Sequence, residues 1–230
     1  MPDYVIDPPA TSSVAVIGGA QRFPIRRIIC VGRNYAAHAR EMGRDPDREA
    51  PFFFLKPADA VVESGATIPY PPETKNVHYE IELVVAIGTG GADIAADRAL
   101  DHVFGYAVGI DLTRRDLQLA AREQGRPWDW GKGFDLSAPI APLYPVERVG
   151  HPAFGRIWLA VDGQVKQDSD ITKLIWPVSD IIAIASRSMA LKPGDLIMTG
   201  TPEGVGPVNP GQIINGGIDG LGEITLTIDG

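Results

Sequence analysis

The chain has 230 residues, 44% of them hydrophobic and 22% charged, with 21 Lys and Arg against 29 Asp and Glu for a formal net charge of −8. This is the balance of an ordinary soluble globular protein, and the acidic excess, with no basic cluster to overcome it, argues against a nucleic-acid-binding surface. The single cysteine, Cys30, excludes an intramolecular disulfide and a cysteine-rich zinc site. No apolar run approaches the roughly 20 residues that span a bilayer, and the first residues lack a basic segment followed by an apolar one, so no membrane partner and a cytoplasmic location are expected.

The 26 glycines and 20 prolines are spread along the chain, which points to many short strands joined by tight turns. In chain order the pattern predicts strands at Ser13–Val16, Arg27–Val31 with Cys30 as a buried member, Phe52–Lys56, Ala60–Val62, Thr67–Ile68, Glu80–Ile87 and Val103–Ile110. Further strands are predicted at Arg156–Val161, Leu196–Thr199 and Glu223–Ile228. Helical patterns cover Asn34–Met42, Ala96–Ala99, Thr113–Glu123 and Ile171–Met189, the last broken at Pro177 with Ser179 as the cap of its second part. Strands dominate and do not alternate with helices, so a doubly wound parallel sheet is not expected. There are no repeats, no low-complexity segment and no domain boundary. The expectation is a single α+β domain over residues 1–230, mostly β, with residues 1–25 as a short β extension packed on it.

The segment "VHYEIELVVAI" at residues 77–87 carries the first chemical signal. Side chains alternate along a strand, so Glu80 and Glu82 project from one face. Burying two like charges side by side is costly unless a positive group lies between them, and carboxylate oxygens are the preferred ligands of hard divalent ions. A third carboxylate would be Asp111, where the apolar strand of "GYAVGIDLTRRDLQ" ends at the start of a helix. The alternative is that Glu80 and Glu82 line the solvent side of an edge strand, with Ile81 and Leu83 inside. His78 shares the parity of the two glutamates and is read as a neighbour. Asp111, Arg115 and Gln118 are spaced to share one helix face, a stripe suited to an anionic, oxygen-rich ligand. Lys132, between two glycines in "GRPWDWGKGFD", is either a turn residue or a cation that stabilises developing negative charge.

In "CVGRNYAAHAREMG", His38 and Glu41 are three residues apart on a short predicted helix. A carboxylate touching an imidazole fixes its tautomer and raises its basicity, as activation of water requires; the alternative is a solvated surface pair. The charged stretch Glu41–Ala50 that follows is expected to close over the site. The glycines of "GTPEGVG" would let backbone amides, or Thr201, approach a ligand closely.

Together "CVGRNYAAHAREMG", "PFFFLKP", "NVHYEIELVVAIG", "GYAVGIDLTRRDLQ", "GRPWDWGKGFD" and "LKPGDLIMTGTPEGVGPV" resemble the fumarylacetoacetate hydrolase family, in its motif order and over about three quarters of the chain. The likeness is to the short members made of the catalytic domain alone, which lack the N-terminal domain and one acidic metal ligand of larger relatives. The resemblance implies a mixed, strongly curved β-roll with peripheral helices, and a homodimer. It implies Mg²⁺ or Mn²⁺, with Ca²⁺ also compatible, on Glu80, Glu82 and Asp111. His38, Glu41 and Lys132 would be catalytic, and Arg33, Lys56, Arg115, Gln118 and Thr201 would bind substrate. The implied activity is hydrolysis of a C–C bond of a small-molecule 2,4-dioxo acid, with fumarylpyruvate of the gentisate route as the substrate of the most similar bacterial members. Acylpyruvate hydrolysis, oxaloacetate decarboxylation and isomerisation or decarboxylation of hydroxymuconate-type diacids use the same site and are the alternatives within the family. A non-catalytic binder of metal and oxo acid is the alternative outside it. The distal pocket would be drawn from Arg33, Tyr35, Trp128 and Trp130.

Overall fold

The computed structural model describes residues 3–37 and 50–230. Its centre is an eight-stranded mixed sheet that curls into a half-barrel, and strands outnumber helices throughout. Across that sheet run Phe52–Lys56, Arg27–Gly32, Asp195–Met198, Ile81–Ile87, Val103–Ile110, Ala138–Ile140 and Val61–Glu63, with Tyr144–Pro145 pairing onto the Val103–Ile110 strand. Five further strands, Gln164–Asp170, Arg156–Val161, Ile213–Ile218, Glu223–Ile228 and Ala66–Ile68, form a second sheet. A three-stranded sheet joins Thr113–Arg114, Val77–Tyr79 and Gly206–Val208.

The Ile81–Ile87 strand explains how these layers meet. All seven of its residues are buried, because each face packs on a different core. Ile81, Leu83 and Val85 belong to the larger core, with Ile157, Leu159, Ile214, Ile224 and Leu226 of the second sheet and Ile181 and Ile182 of the Val178–Ser188 helix. Val84 and Ala86 face a smaller core built from Ile28, Cys30, Ala107, Ala138, Ile140, Leu196 and Met198. Val14, Phe23 and Ile25 cover that smaller core from the N-terminal side, where Ser13–Ala15 pairs with Arg22–Pro24 and Phe23 stacks on Phe104 at 5.0 Å between centroids. Glu80 and Glu82 lie on the smaller-core face by parity. The strand is central in its sheet, which rules out the edge-strand reading of the two glutamates.

Most predicted elements are present within a residue or two. Phe52–Lys56, Val103–Ile110, Arg156–Val161 and Glu223–Ile228 have the expected bounds. The predicted Thr113–Glu123 helix begins only at Arg115, because Thr113 and Arg114 pair antiparallel with His78 and Val77. The last predicted helix divides at Pro177 as expected, into a short 3-10 turn at Ile171–Lys173 and the Val178–Ser188 helix. Its cap, however, is Pro177 rather than Ser179, since the Pro177 carbonyl already accepts from the amides of Asp180 and Ile181. Among the described residues no helix is long and apolar enough to cross a membrane.

Candidate active site

Strand register assembles the carboxylates. Ile81 pairs with Ile110 and Glu82 with Gly109, which sets Glu80 opposite Asp111; the Asp111 amide donates to the Glu80 carbonyl at 2.8 Å. Directly opposed residues of an antiparallel pair project to the same face. Glu80, Glu82 and Asp111 therefore converge, with ligand oxygens within 4.8 Å of one another and all three side chains buried.

Among the described residues three cations meet them. Lys132, carried on the Asp129–Lys132 turn of helix, donates from Nζ to Glu80 Oε2 at 2.8 Å, to Asp111 Oδ2 at 2.6 Å and to Thr113 Oγ1 at 2.6 Å. Gly131 permits this approach, since a Cβ there would stand 2.9 Å from the Gln118 Cα. Arg115, at the start of the Arg115–Glu123 helix, bonds Glu80 Oε1 through Nη2 and Gln118 Oε1 through Nη1, the latter at 2.5 Å. Lys56 lies 2.9 Å from Asp111 Oδ1 and donates to the carbonyls of Leu112, at 3.1 Å, and Lys132. Asp111 Oδ1 is thus met by the Lys56 ammonium as an ion pair.

Electrostatics differ sharply between neighbours. Burial, then the charges of Asp111 and Glu80, push the Glu82 carboxyl well above the usual carboxylate range, with the Gly200 amide at 2.7 Å from Oε2 acting against that rise. Burial alone would push the Lys132 amine down, but Asp111 and Glu80 more than offset it, so the group is held as an ammonium at neutral pH. His78 is lowered to about 4 by burial and by the Arg115 guanidinium. Its Nδ1 accepts from Arg115 Nε at 3.3 Å, leaving Nε2–H to donate to Asn76 Oδ1 at 3.0 Å. His78 is thus a neutral neighbour that stands outside the carboxylate group.

The donor set fits a divalent cation. It offers hard oxygen ligands from three carboxylates. Glu82 faces two like charges with no ion pair of its own among the described residues.

Above this floor opens a cavity lined by Arg33, Arg115, Gln118, Lys132 and Thr201 together with the carboxylates, so most of the expected site residues share one space. Lys56 does not line it. That side chain is buried, with its ammonium 2.9 Å from Asp111 Oδ1. Asp111 also does not share the helix stripe of Arg115 and Gln118; it arrives at the end of the Val103–Ile110 strand. Of the expected distal residues, Arg33 and Trp128 reach the cavity, Tyr35 is buried in a bridge to Leu174, and Trp130 is 80% exposed on a separate groove. His38, Glu41 and all of the expected closing loop except Ala50 fall within residues 38–49, outside the described residues.

Two supporting residues are not evident from the sequence. Gln167 is wholly buried and donates to Thr201 Oγ1 at 2.8 Å and to the Pro202 carbonyl at 2.9 Å, while its Oε1 accepts from the Ile81 amide, between the two glutamates, at 3.1 Å. Asn34 donates to the Thr199 and Trp176 carbonyls at 2.8 and 2.9 Å, pinning the turn at Gly200. Gly200 has φ +100°, and a Cβ there would strike the Asn34 Cβ at 2.7 Å. Asn34 adjoins the "VGR" of a chemistry-bearing motif, a signal that could have marked it; Gln167 sits in a polar strand that carries none.

Comparison with known proteins agrees with this geometry. The family described as fumarylacetoacetate (FAA) hydrolase C-terminal matches residues 27–229. A crystal structure of fumarylpyruvate hydrolase from Pseudomonas aeruginosa, in complex with Mn²⁺ and pyruvate, superposes with a TM-score of 0.97 at 57% identity over 99% of each chain. The fumarylpyruvate hydrolase of a Ralstonia species is 50% identical over 189 residues, 81% of this chain and 98% of that protein. The mitochondrial oxaloacetate tautomerase of Arabidopsis thaliana is 43% identical over 203 residues, 88% of this chain and 91% of its own. On the matched length, the shared fold and the buried carboxylate trio, the chain belongs to the fumarylacetoacetate hydrolase family.

Proposed function

We propose that this protein is a metal-dependent hydrolase that cleaves the C3–C4 bond of fumarylpyruvate, giving fumarate and pyruvate. The observation that carries the reading is the trio Glu80, Glu82 and Asp111 opening onto a cavity walled by Arg115, Gln118 and Lys132. The fumarylpyruvate hydrolases among the similar proteins, one of them holding Mn²⁺ and pyruvate, support it. In this reading the three carboxylates hold Mg²⁺ or Mn²⁺, which when bound supplies a Lewis acid for the oxygens of a 2-oxo acid.

The chain's own residues do the rest. Water adds its hydroxyl to C4, the C3–C4 bond breaks with its electron pair passing to pyruvate as the enolate, and the proton taken from water then reaches C3. The family resemblance makes His38 the base that takes the proton from water and Glu41 its catalytic partner. Carbon is a poor leaving group, so the negative charge that pyruvate carries away as its enolate is the demanding part. Lys132, an ammonium at neutral pH, faces that charge. Arg115 holds Gln118 by its side-chain oxygen, which leaves the Gln118 amide N–H groups for substrate oxygens. Thr201, fixed by Gln167, closes the far wall. A homodimeric, cytoplasmic enzyme of aromatic degradation by the gentisate route is the setting this reading implies.

The oxaloacetate tautomerase relative favours a second reading, in which the same residues stabilise the enol of oxaloacetate. The test is to incubate purified protein and Mn²⁺ with each acid. Loss of the dioxo-acid absorbance with pyruvate and fumarate in equal amounts is expected; an intact fumarylpyruvate with oxaloacetate consumed would replace the first reading by the second.

A further inference from the structure

We propose that Arg122 receives a carboxylate at the far end of the substrate, so that the cavity selects dicarboxylic dioxo acids over those ending in an apolar tail. The inference rests on the reading of the site given above and assigns its specificity. Arg115, Gln118, Leu119 and Arg122 follow one another at helical spacing, and all four line the cavity. Arg115 and Gln118 are 5% exposed, whereas Leu119 is 37% exposed and Arg122 half-buried, so the second turn of the stripe is more open than the first. The helix therefore leads away from the buried carboxylates, and Arg122 lies about 10 Å beyond Arg115 at 1.5 Å per residue.

At the floor stand the carboxylates, Lys132 and the polar Arg115–Gln118 pair. The apolar part of the lining is Leu119 on the helix, Val31, Trp128, and Phe54, whose ring centre lies 5.0 Å from the Lys132 ammonium. Trp128 is held edge-on to Phe52 at 5.1 Å and lies 5.8 Å from Phe54, which makes a flat, fixed wall. Arg122 lines the same cavity about two helical turns from Arg115. Arg115 is committed to Glu80, Gln118 and His78, and Arg33 lies 4.9 Å from the centroid of the Phe52 ring. Arg122 makes no hydrogen bond or ion pair among the described residues.

A ligand matching this lining has an oxo-acid head, a planar unsaturated middle and an anionic tail. Bond lengths near 1.5 Å place the terminal carboxyl carbons of an extended seven-carbon chain about 7–8 Å apart, a span that the helix from Arg115 to Arg122 covers. A guanidinium takes a carboxylate through two parallel hydrogen bonds, a geometry lysine cannot reproduce. A chain with net charge −8 also has reason to place a cation where a dianion enters.

The test compares kcat/KM for fumarylpyruvate and for acetylpyruvate, which keeps the dioxo head and ends in a methyl group, in Mn²⁺-loaded wild-type protein, Arg122→Met and Arg122→Lys. Arg122→Met is expected to shift the ratio of the two values against fumarylpyruvate by about 10–100-fold, the size of one charge-assisted hydrogen bond, mainly through KM. Arg122→Lys should recover part of that shift. An unchanged ratio, or equal losses on both substrates, would overturn the assignment of Arg122 while leaving the reaction standing. Wild-type protein that leaves every dioxo acid intact would sink both.

Discussion

Asp111→Ala should destabilise the protein by about 3–5 kcal/mol when unfolding is followed in urea with a chelator present, the cost of stripping one partner from a buried ion pair. Asp111 is fully buried and is the shared anion for two ammonium groups that are themselves 2% exposed. Without it Lys132 still has Glu80 and Thr113, but Lys56 is left with two backbone carbonyls and no counter-charge. The second variant that isolates the cause is Asp111→Ala with Lys56→Met. Removing the stranded charge should restore a good part of the loss, because the two residues are in contact and their effects are not additive. A single variant with the wild-type midpoint, or a double variant no better than the single one, would show that Asp111 does not anchor the buried cations.

Lys132→Met should do the opposite: a modest loss of stability and a large loss of turnover. No carboxylate is abandoned by this change, since Glu80 keeps Arg115 and Asp111 keeps Lys56. On the proposed reaction, however, a preorganised cation facing the developing enolate is gone, and kcat should fall on the order of 10²–10³-fold, the scale of removing one such donor. Divalent-ion binding should survive and tighten, because the Lys132 ammonium no longer occupies Glu80 Oε2 and Asp111 Oδ2. Turnover reduced less than about tenfold would reassign Lys132 to packing. Metal binding lost along with turnover would show that the lysine shapes the carboxylates instead of competing for them.

The floor of the site was readable because strand geometry leaves little freedom. Two glutamates two residues apart in an otherwise apolar run must share a face, and an aspartate ending the next apolar strand stands opposite once the two strands pair. The helical spacing of Arg115 and Gln118 was equally readable, although the helix starts later than its pattern suggests because Thr113 and Arg114 are drawn into a sheet by His78 and Val77. What escaped was whatever depends on long-range contact. Lys56 reads as the last residue of an ordinary strand, and only packing against Leu112 and Asp111 buries it. The Gln164–Asp170 strand has no apolar alternation to mark it, with five polar or charged residues outside Val165 and Ser169, yet Gln167 is buried there under Thr201. The Ile213–Ile218 strand was hidden by "NGG", which reads as a turn but pairs on both sides.

The central claim is that the buried carboxylates hold the divalent ion on which the reaction depends. Its most direct measurement is equilibrium Mn²⁺ binding by electron paramagnetic resonance, on wild-type protein and Glu82→Gln, with and without oxalate as a stand-in for the oxo-acid head. Glu82 is the choice because its change strands no cation: its one hydrogen bond is to the Gly200 amide, and an amide oxygen can still accept it. The account predicts one Mn²⁺ per chain, bound more tightly with oxalate, and an affinity at least about tenfold weaker in the folded Glu82→Gln variant, as expected when a charged hard-oxygen ligand becomes neutral. Mn²⁺ bound with equal affinity by both proteins, or by neither, would contradict it.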